Sequence, residues 1–363
     1  MDIYSTYYLI AAVRSMRPEH TFFKRRYFPT DLALDVFGTS KVLADYKGMS
    51  QKAAPFVIPR IGSVSVGREG FSTYELEPAN ISLSMPLTLD QLTKRGFGES
   101  LMSGMTPADR ATKFQLEDLQ TLSARISRTE EWLSIATMLD NGCTMQHQTE
   151  TAGVYEDVDA YFYDGENNPA LYTPAAKWEH STVDGNGKIT RGKWYDDICN
   201  MVKMLTSAGL PATDLLMSSD VATFIMSDPW VLAALDNRRM EMGRIDPKEL
   251  AEYVIEHGVL TFGGRKLSLI ESCGSYEDVN GDNIPYMPAG SVIVTAPACG
   301  KGLYGAVTQM EEDKQFHTRA GMRVPRHLCD IRTSTRETEL TARPLLVPKV
   351  KNPWAVAKGV FAD

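Results

Sequence analysis

The stretch Thr106–Gly142, TPADRATKFQLEDLQTLSARISRTEEWLSIATMLDNG, decides how this chain is read. Thr106 offers a side-chain oxygen at the N-cap. Pro107 suits the first helical position, and Asp109 sits where the helix dipole favours negative charge. No proline or glycine follows until Gly142, whose missing Cβ suits a left-handed C-terminal residue. The pattern predicts an unbroken helix over 107–141, roughly 50 Å long at the standard rise. That exceeds the diameter of an ordinary compact domain, so an elongated molecule is expected. Leu119, Leu122, Ile126, Leu133 and Ala136 fall on one stripe, with Arg110, Lys113, Glu117, Arg128 and Glu131 read on the opposite side. Thr129 and Glu130 interrupt a continuous coiled-coil seam, so a helix laid along a sheet is the expected use.

Upstream, residues 55–88 read as strands. Val64/Val66, Tyr74/Leu76 and Ile81/Leu83/Met85 alternate, and Gly67-Arg68-Glu69-Gly70 reads as a tight turn between the first two. Pro55, Pro59, Pro78 and Pro86 suit edge strands, and a two-stranded ribbon of this kind is marginal without a partner surface. The first fifty residues place Tyr4, Tyr7, Tyr8, Phe22, Phe23, Tyr27, Phe28 and Phe37 among Arg14, Arg17, Lys24, Arg25 and Arg26. An arm so aromatic must pack on something, either its own domain or a neighbouring subunit.

Downstream, Val154, Val158 and Phe162 mark strands, and Asp184-Gly185-Asn186-Gly187 marks a turn. Helices are expected at Trp194–Ala208, from Ser219 or Asp220 to Ile225, and at Pro247–His257. Strands are expected at Leu215–Met217, Leu267–Ile270 and Ser291–Thr295, with a turn at Asn280-Gly281. This block reads as an α/β unit inserted between two pieces of another domain. Extended sequence returns at Arg332–Val347, where Ile331, Thr333 and Thr335 alternate.

With 363 residues, 43% of them hydrophobic and 23% charged, the chain can bury one large core or two smaller ones. A formal charge of −8 argues against a general nucleic-acid-binding surface. No run of eighteen apolar residues exists to span a membrane, and the N-terminus lacks the pattern of a signal peptide. The cysteines Cys143, Cys199, Cys273, Cys299 and Cys329 form no CxxC pair or disulfide framework, as in a reducing cytoplasm.

Catalytic and cofactor signatures fail on their particulars. Thr295–Gly302, TAPACGKG, lacks the first glycine of a phosphate loop and has Gly302 where a magnesium-holding hydroxyl belongs. The calcium-like run from Asp278 has Asn283 and Ala289 at positions that need glycine and a carboxylate. Gly96-Phe97-Gly98 has no third glycine at dinucleotide spacing. The six histidines sit at no zinc spacing, and His327 with Cys329 reads as strand packing. Asn80-Ile81-Ser82 is a glycosylation triplet in form alone. Lys314, Arg319, Arg323, Arg326, Arg332, Arg336 and Arg343 could suggest a nucleic-acid track, but Asp330, Glu337 and Glu339 are interleaved, so ion pairing is preferred.

The order of these pieces resembles a tailed-phage major capsid protein of the Hong Kong 97 fold, and within it the lambda-type major head protein (E) family. The likeness is carried by Tyr4–Ala12, Phe22-Phe23-Lys24-Arg25-Arg26-Tyr27-Phe28, and Val64–Pro78 around the Gly67–Gly70 turn. It continues in Tyr304-Gly305 with the acidic stretch after it, Arg323–Pro325 and Pro344-Leu345-Leu346. It spans nearly the whole chain, and its strength lies in the order of the pieces. The resemblance implies an α+β fold with an N-terminal arm (1–51), an E-loop reaching over an adjacent subunit (52–98) and a peripheral domain with spine helix 107–141 (99–189). An inserted axial domain (190–310) and returning peripheral strands with the C-terminal segment (311–363) complete it.

The resemblance further implies a structural, non-enzymatic subunit that self-assembles into hexamers and pentamers of an icosahedral shell enclosing viral DNA, with no cofactor or metal. Lys24, Arg25, Arg26, Arg60, Arg68, Glu69, Glu75, Glu77, Arg326 and Arg336 are its candidate inter-subunit contacts. Expected partners are other copies of the chain, a decoration protein, a portal protein and packaged DNA held non-specifically on the inner face. A separate scaffold is expected because the arm begins almost at Met1. Location in the virion after assembly in the host cytoplasm follows. Relatives that cross-link lysine to asparagine have no matching context around Lys24, Lys47 or Asn352. An encapsulin-like shell, another phage particle component and an α/β enzyme are the competing readings.

Overall fold

Local capping chemistry builds the long helix much as the sequence predicts. The computed structural model describes residues 6–16, 21–46, 72–88, 92, 106–148, 155–162, 171–235, 243–278, 281–311, 313–330 and 335–361. The helix runs Pro107–Asp140. Its capping box closes both ways: Asp109 N–H donates to Thr106 Oγ1 at 3.2 Å, and Thr106 N–H donates to Asp109 Oδ2 at 3.1 Å. At the C-terminal end two residues in succession have positive φ: Asn141 at 54°, in the αL conformation, and Gly142 at 148°. The Asn141 side-chain oxygen accepts a 2.6 Å bond from Trp354 Nε1, which fixes its conformation from outside the helix. Gly142 is needed for its φ and for space, because a Cβ there would lie 2.3 Å from the carbonyl oxygen of Ala160, on the partner strand.

Leu119, Leu122 and Ile126 are buried between the N-terminal helix Thr6–Ser15, through Leu9, and a three-stranded antiparallel sheet, through Leu340 and Ala342. That sheet orders Val324–Asp330, Thr335–Ala342 and Ile81–Leu87. Ile81–Leu87 lies on its edge, where Pro86 costs no ladder bond on the open side. The second half of the helix, through Leu133, Ile135, Met138 and Leu139, enters a larger core with Phe23, Tyr27, Phe28 and Trp354. Glu131 corrects the amphipathic reading. Placed on the polar side by sequence, it is 2% exposed, and its neighbour Glu130 is 1% exposed.

The α/β unit is a six-stranded mixed sheet in the order Ala355–Ala357, Val292–Thr295, Asp214–Ser218, Arg265–Ser272, Val254–Phe262, Gly243–Ala251. One pair, Arg265–Ser272 with Asp214–Ser218, is parallel. The helices Lys193–Ser207 and Ser219–Ser227 pack on it around Trp194, Ile198, Met217 and Phe262. The helix expected at Pro247–His257 is absent; those residues lie in two antiparallel strands. Pro247 is tolerated because Gly243–Ala251 is the edge strand. Gly258, read as a helix stop, instead sits at a register shift with φ 136°, where a Cβ would meet the Arg244 carbonyl oxygen at 2.0 Å. From this strand Val254 enters the larger core, and Leu260 and Phe262 enter the core under the helices, so tertiary burial overrides the local helical pattern.

Ser72–Leu76 pairs antiparallel with Val42–Tyr46, so the described stem of the ribbon uses a strand that the sequence reading assigned to the arm. Val64, Val66 and the Gly67–Gly70 turn lie outside the described residues, as do Ile331, Thr333, Val154 and Asn280. Gly142–Gln148 pairs with Tyr155–Tyr161, and Gly300–Tyr304 pairs with Pro344–Pro348. Thr182–Val183 and Ile189–Thr190 flank the expected turn, where Asp184 accepts from the backbone N–H groups of Asn186 and Lys188. Among the described residues, no helix is long and apolar enough to cross a membrane.

Candidate contact surface and the charged cluster beneath it

Residues 22–28, FFKRRYF, place four aromatic rings and three cations in seven positions, and the fold uses them as a joint. Phe23, Tyr27 and Phe28 are fully buried within the subunit itself. The short helix Phe23–Tyr27 docks on the long helix by its own N-terminus. Glu131 accepts from the N–H of Phe23 at 2.9 Å and of Lys24 at 3.2 Å, which places a carboxyl against the buried amide donors of the helix start. Lys24 Nζ reaches Glu130 Oε2 at 2.8 Å and also contacts the Tyr304 hydroxyl. Glu130 receives Arg323 in a two-pronged pair at 2.7 and 2.8 Å, and the Tyr304 hydroxyl at 2.8 Å. At the other end of the short helix, Arg26 Nε and the Tyr27 hydroxyl both donate to Asp214 Oδ2, at 2.7 and 2.8 Å. Asp214 begins a central strand of the six-stranded sheet. The segment therefore ties that sheet to the long helix.

Burial sets the electrostatics of the two adjacent glutamates, and their partners separate them. Burial would raise Glu130, but the Arg323 and Lys24 charges overcome it and bring its pKa down to about 2. For Glu131 burial prevails over the Phe23 and Lys24 amides and raises its pKa to about 7. Burial also lowers Lys24 and raises Tyr304.

The sign of the pH dependence follows. Glu131 has a folded pKa above its ordinary 4.5, so its contribution is complete below pH 4.5 and is lost as pH rises through about 7. Glu130 acts in the opposite sense: its contribution is present above 4.5 and lost as pH falls through about 2. Between pH 5 and 8 Glu131 acts in the same sense as Asp118, which burial raises to about 6, and Glu131 by itself should lower unfolding free energy by on the order of 3 kcal/mol across that range. Urea denaturation of the parent and of Glu131→Gln at both pH values checks this. The variant should flatten the slope, and an unaltered slope would remove Glu131 as its cause.

The residues proposed from sequence as contacts fall into four groups. Lys24 and Arg26 are engaged inside the subunit, as described. Glu77 pairs with Arg343 at 3.0 Å, Arg326 with Glu339 at 2.5 Å, and Glu75 with Lys41 at 3.2 Å, the last pair more than half exposed on both sides. Arg25 is exposed, and Arg336 is half-buried on the edge-paired strand Thr335–Ala342. Arg60, Arg68 and Glu69 lie outside the described residues. The basic segment 314–343 is laced by internal pairs, with Arg319 on Glu311 and Arg323 on Glu130 beside those above.

Sequence reasoning missed the apolar side chains left outside. Tyr7 is 82% exposed, Leu32 70%, Leu34 73% and Phe316 72%. The signal available for Phe316 was its isolation in the polar run EEDKQFHTR, Glu311–Arg319. The phosphate-loop look-alike contributes Thr295 to a buried strand and Lys301 to an ion pair with Asp35. Among the described residues, no three His, Cys, Asp or Glu side chains are grouped to hold a metal ion.

A long capped helix on a sheet, a mixed-sheet unit and a short helix that ties the two together make up the subunit. The sequence pattern of the family described as phage major capsid protein E matches residues 5–359, and the chain belongs to that family. It is a structural protein of the phage capsid, of a family that is not an enzyme family, and it associates with copies of itself. The fold is similar to that of a prophage protein of Escherichia coli CFT073 described as a capsid protein, with TM-score 0.61, 17% identity and 99% of each chain covered. A phage-related protein of Bordetella bronchiseptica RB50 aligns with TM-score 0.47 and 10% identity over 97% of this chain and 96% of that one. A chain from the procapsid of satellite phage P4 aligns with TM-score 0.42 and 11% identity over 88% and 89%. No curated protein sequence matches significantly.

Proposed function

We propose that the chain forms hexamers and pentamers that close into an icosahedral head enclosing viral DNA. The observation that carries this reading is the capsid-family pattern running from residue 5 to residue 359. Neighbouring copies would supply partners for the exposed edges, and symmetry would multiply many modest contacts. The N-terminal arm, the Val42–Tyr46/Ser72–Leu76 strand pair and the exposed Glu75 and Arg25 serve as edges of the subunit. Scaffold, portal and decoration proteins are separate chains in this reading, packaged DNA contacts the inner face through non-specific charge, and assembly takes place in the host cytoplasm without a membrane.

Expression of the full chain, gradient sedimentation and negative-stain microscopy test the proposal. Closed shells of tens of nanometres are expected, and a small discrete oligomer under all salt conditions would overturn it. Removing residues 59–71, which leaves the stem intact, should yield soluble subunits with parental melting temperature and no closed shells. Normal shells from that deletion would end the role given to the ribbon.

A further inference from the structure

Glu131 stands where three elements meet. The long helix carries it, and the short helix Phe23–Tyr27 brings the N–H groups of Phe23 and Lys24, one to each carboxyl oxygen. The turn between the strands Gly243–Ala251 and Val254–Phe262 brings the Tyr253 hydroxyl, which hydrogen-bonds to Glu131 and accepts the Phe22 N–H at 3.1 Å. The Tyr253 ring packs on those of Phe23 and Tyr286, at centroid distances of 6.3 and 5.7 Å. Gly274 makes room for this arrangement: a Cβ there would lie 2.7 Å from Tyr253 Cβ and 2.8 Å from the Tyr286 ring.

The charges around this carboxyl are engaged elsewhere. Lys24, on the short helix, acts on Glu131 but makes its ion pair with Glu130, which Arg323 also holds. Arg128, one turn back on the long helix, acts on Tyr286. From the sheet side come the Tyr253 and Tyr286 hydroxyls, both raised by burial and by Glu131 itself. An ionised Glu131 is therefore a desolvated charge answered by hydrogen bonds alone. A Glu131 that keeps its proton is neutral, still offers lone pairs to the two N–H groups, and can donate to Tyr253.

We propose that Glu131 is a proton-operated latch at the root of the arm: with its proton it seats residues 22–24, and without it the carboxylate turns to water and that end of the short helix lifts. The opening is local, because Arg26 and Tyr27 keep the other end bound to Asp214. The sign follows from linkage. The seated carboxyl holds its proton up to about pH 7, whereas one turned to water has the ordinary value of 4.5. The lifted form thus gains about tenfold per pH unit between those values and nothing further above them. Acid locks the latch and neutrality releases it. The device belongs to the single subunit and stands whether or not shells form.

Hydrogen exchange of the unassembled full chain, with the chemical exchange rate divided out, tests it. The Phe23 and Lys24 amides should lose protection about tenfold per pH unit between pH 5 and 7, then level off. They should stay less protected than the amides of Leu122 and Ile126 in the buried face of the long helix, and low urea should not alter their exchange. Glu131→Gln, which cannot ionise, should show no slope, whatever its level of protection. Tyr253→Phe removes a donor that favours the carboxylate, so its levelling-off point should move to higher pH. Phe23 and Lys24 exchange that matches Leu122 and Ile126 and quickens with urea would mean global unfolding and overturn the latch. A slope absent from the parent, or retained in Glu131→Gln, overturns it as well. Should Glu131→Gln fail to fold, Tyr253→Phe decides, and an unmoved levelling-off point ends the proposal.

Discussion

Glu130→Ala is expected to lower the stability of the subunit by about 3–5 kcal/mol, the usual result of stranding buried charge. Two cations lose their partner at once: Lys24 and Arg323 are both close to nine-tenths buried, and both contact the Glu130 carboxylate. The Tyr304 hydroxyl loses its acceptor as well. Urea denaturation of the purified subunit measures the loss. A triple replacement, Lys24→Met with Glu130→Leu and Arg323→Met, separates the worth of the pair from the harm of breaking it. Removing all charges together should be far milder, because the ionic attraction is offset by desolvation in the intact protein. A triple variant as unstable as the single one would mean that hydrogen-bond geometry, rather than unpaired charge, sustains the joint.

Trp354→Ala is expected to cost a similar 3–5 kcal/mol through the cavity it leaves. The indole is fully buried and lies 5.9 Å, centroid to centroid, from Phe28 of the arm. Its N–H also holds the left-handed Asn141 that ends the long helix. Trp354→Phe should keep most of the ring packing and lose about 1–3 kcal/mol, because the Asn141 oxygen is left buried without that donor. Thermal melts of the two variants distinguish the contributions. Equal melting temperatures would show that the hydrogen bond, and not the volume, carries the effect.

How much of this fold can be read from sequence depends on where the decisive partners lie. The long helix was legible because its signals are local: Thr106, Pro107 and Asp109 sit within four residues, and Leu119, Leu122 and Ile126 repeat at helical spacing. The edge position of Ile81–Leu87 was legible from Pro86. Glu130 and Glu131 were not, since their burial is decided by Lys24, 106 residues before Glu130, and by Arg323, 193 residues after it. A local polarity pattern carries no trace of such pairing. The run Pro247–His257 misled for the same reason: its proline and Gly258 mark helix limits in isolation, yet a neighbouring sheet turns them into an edge position and a bulge. Of the candidate contacts, Lys24 and Arg26 looked alike in sequence to Arg25, and only packing distinguishes the two engaged cations from the exposed one.

The joint at Phe23–Tyr27 also sets a clock. Its lysine contacts Tyr304, 280 residues further along the chain, and the adjoining Phe28 waits for Trp354. Closing so long a loop costs chain entropy before the contact repays it. During synthesis Phe23–Tyr27 emerges well before Tyr304 and Trp354, so its seat is finished only after they have emerged. A copy broken off before Trp354 lacks the indole that packs on Phe28, so its core is left open.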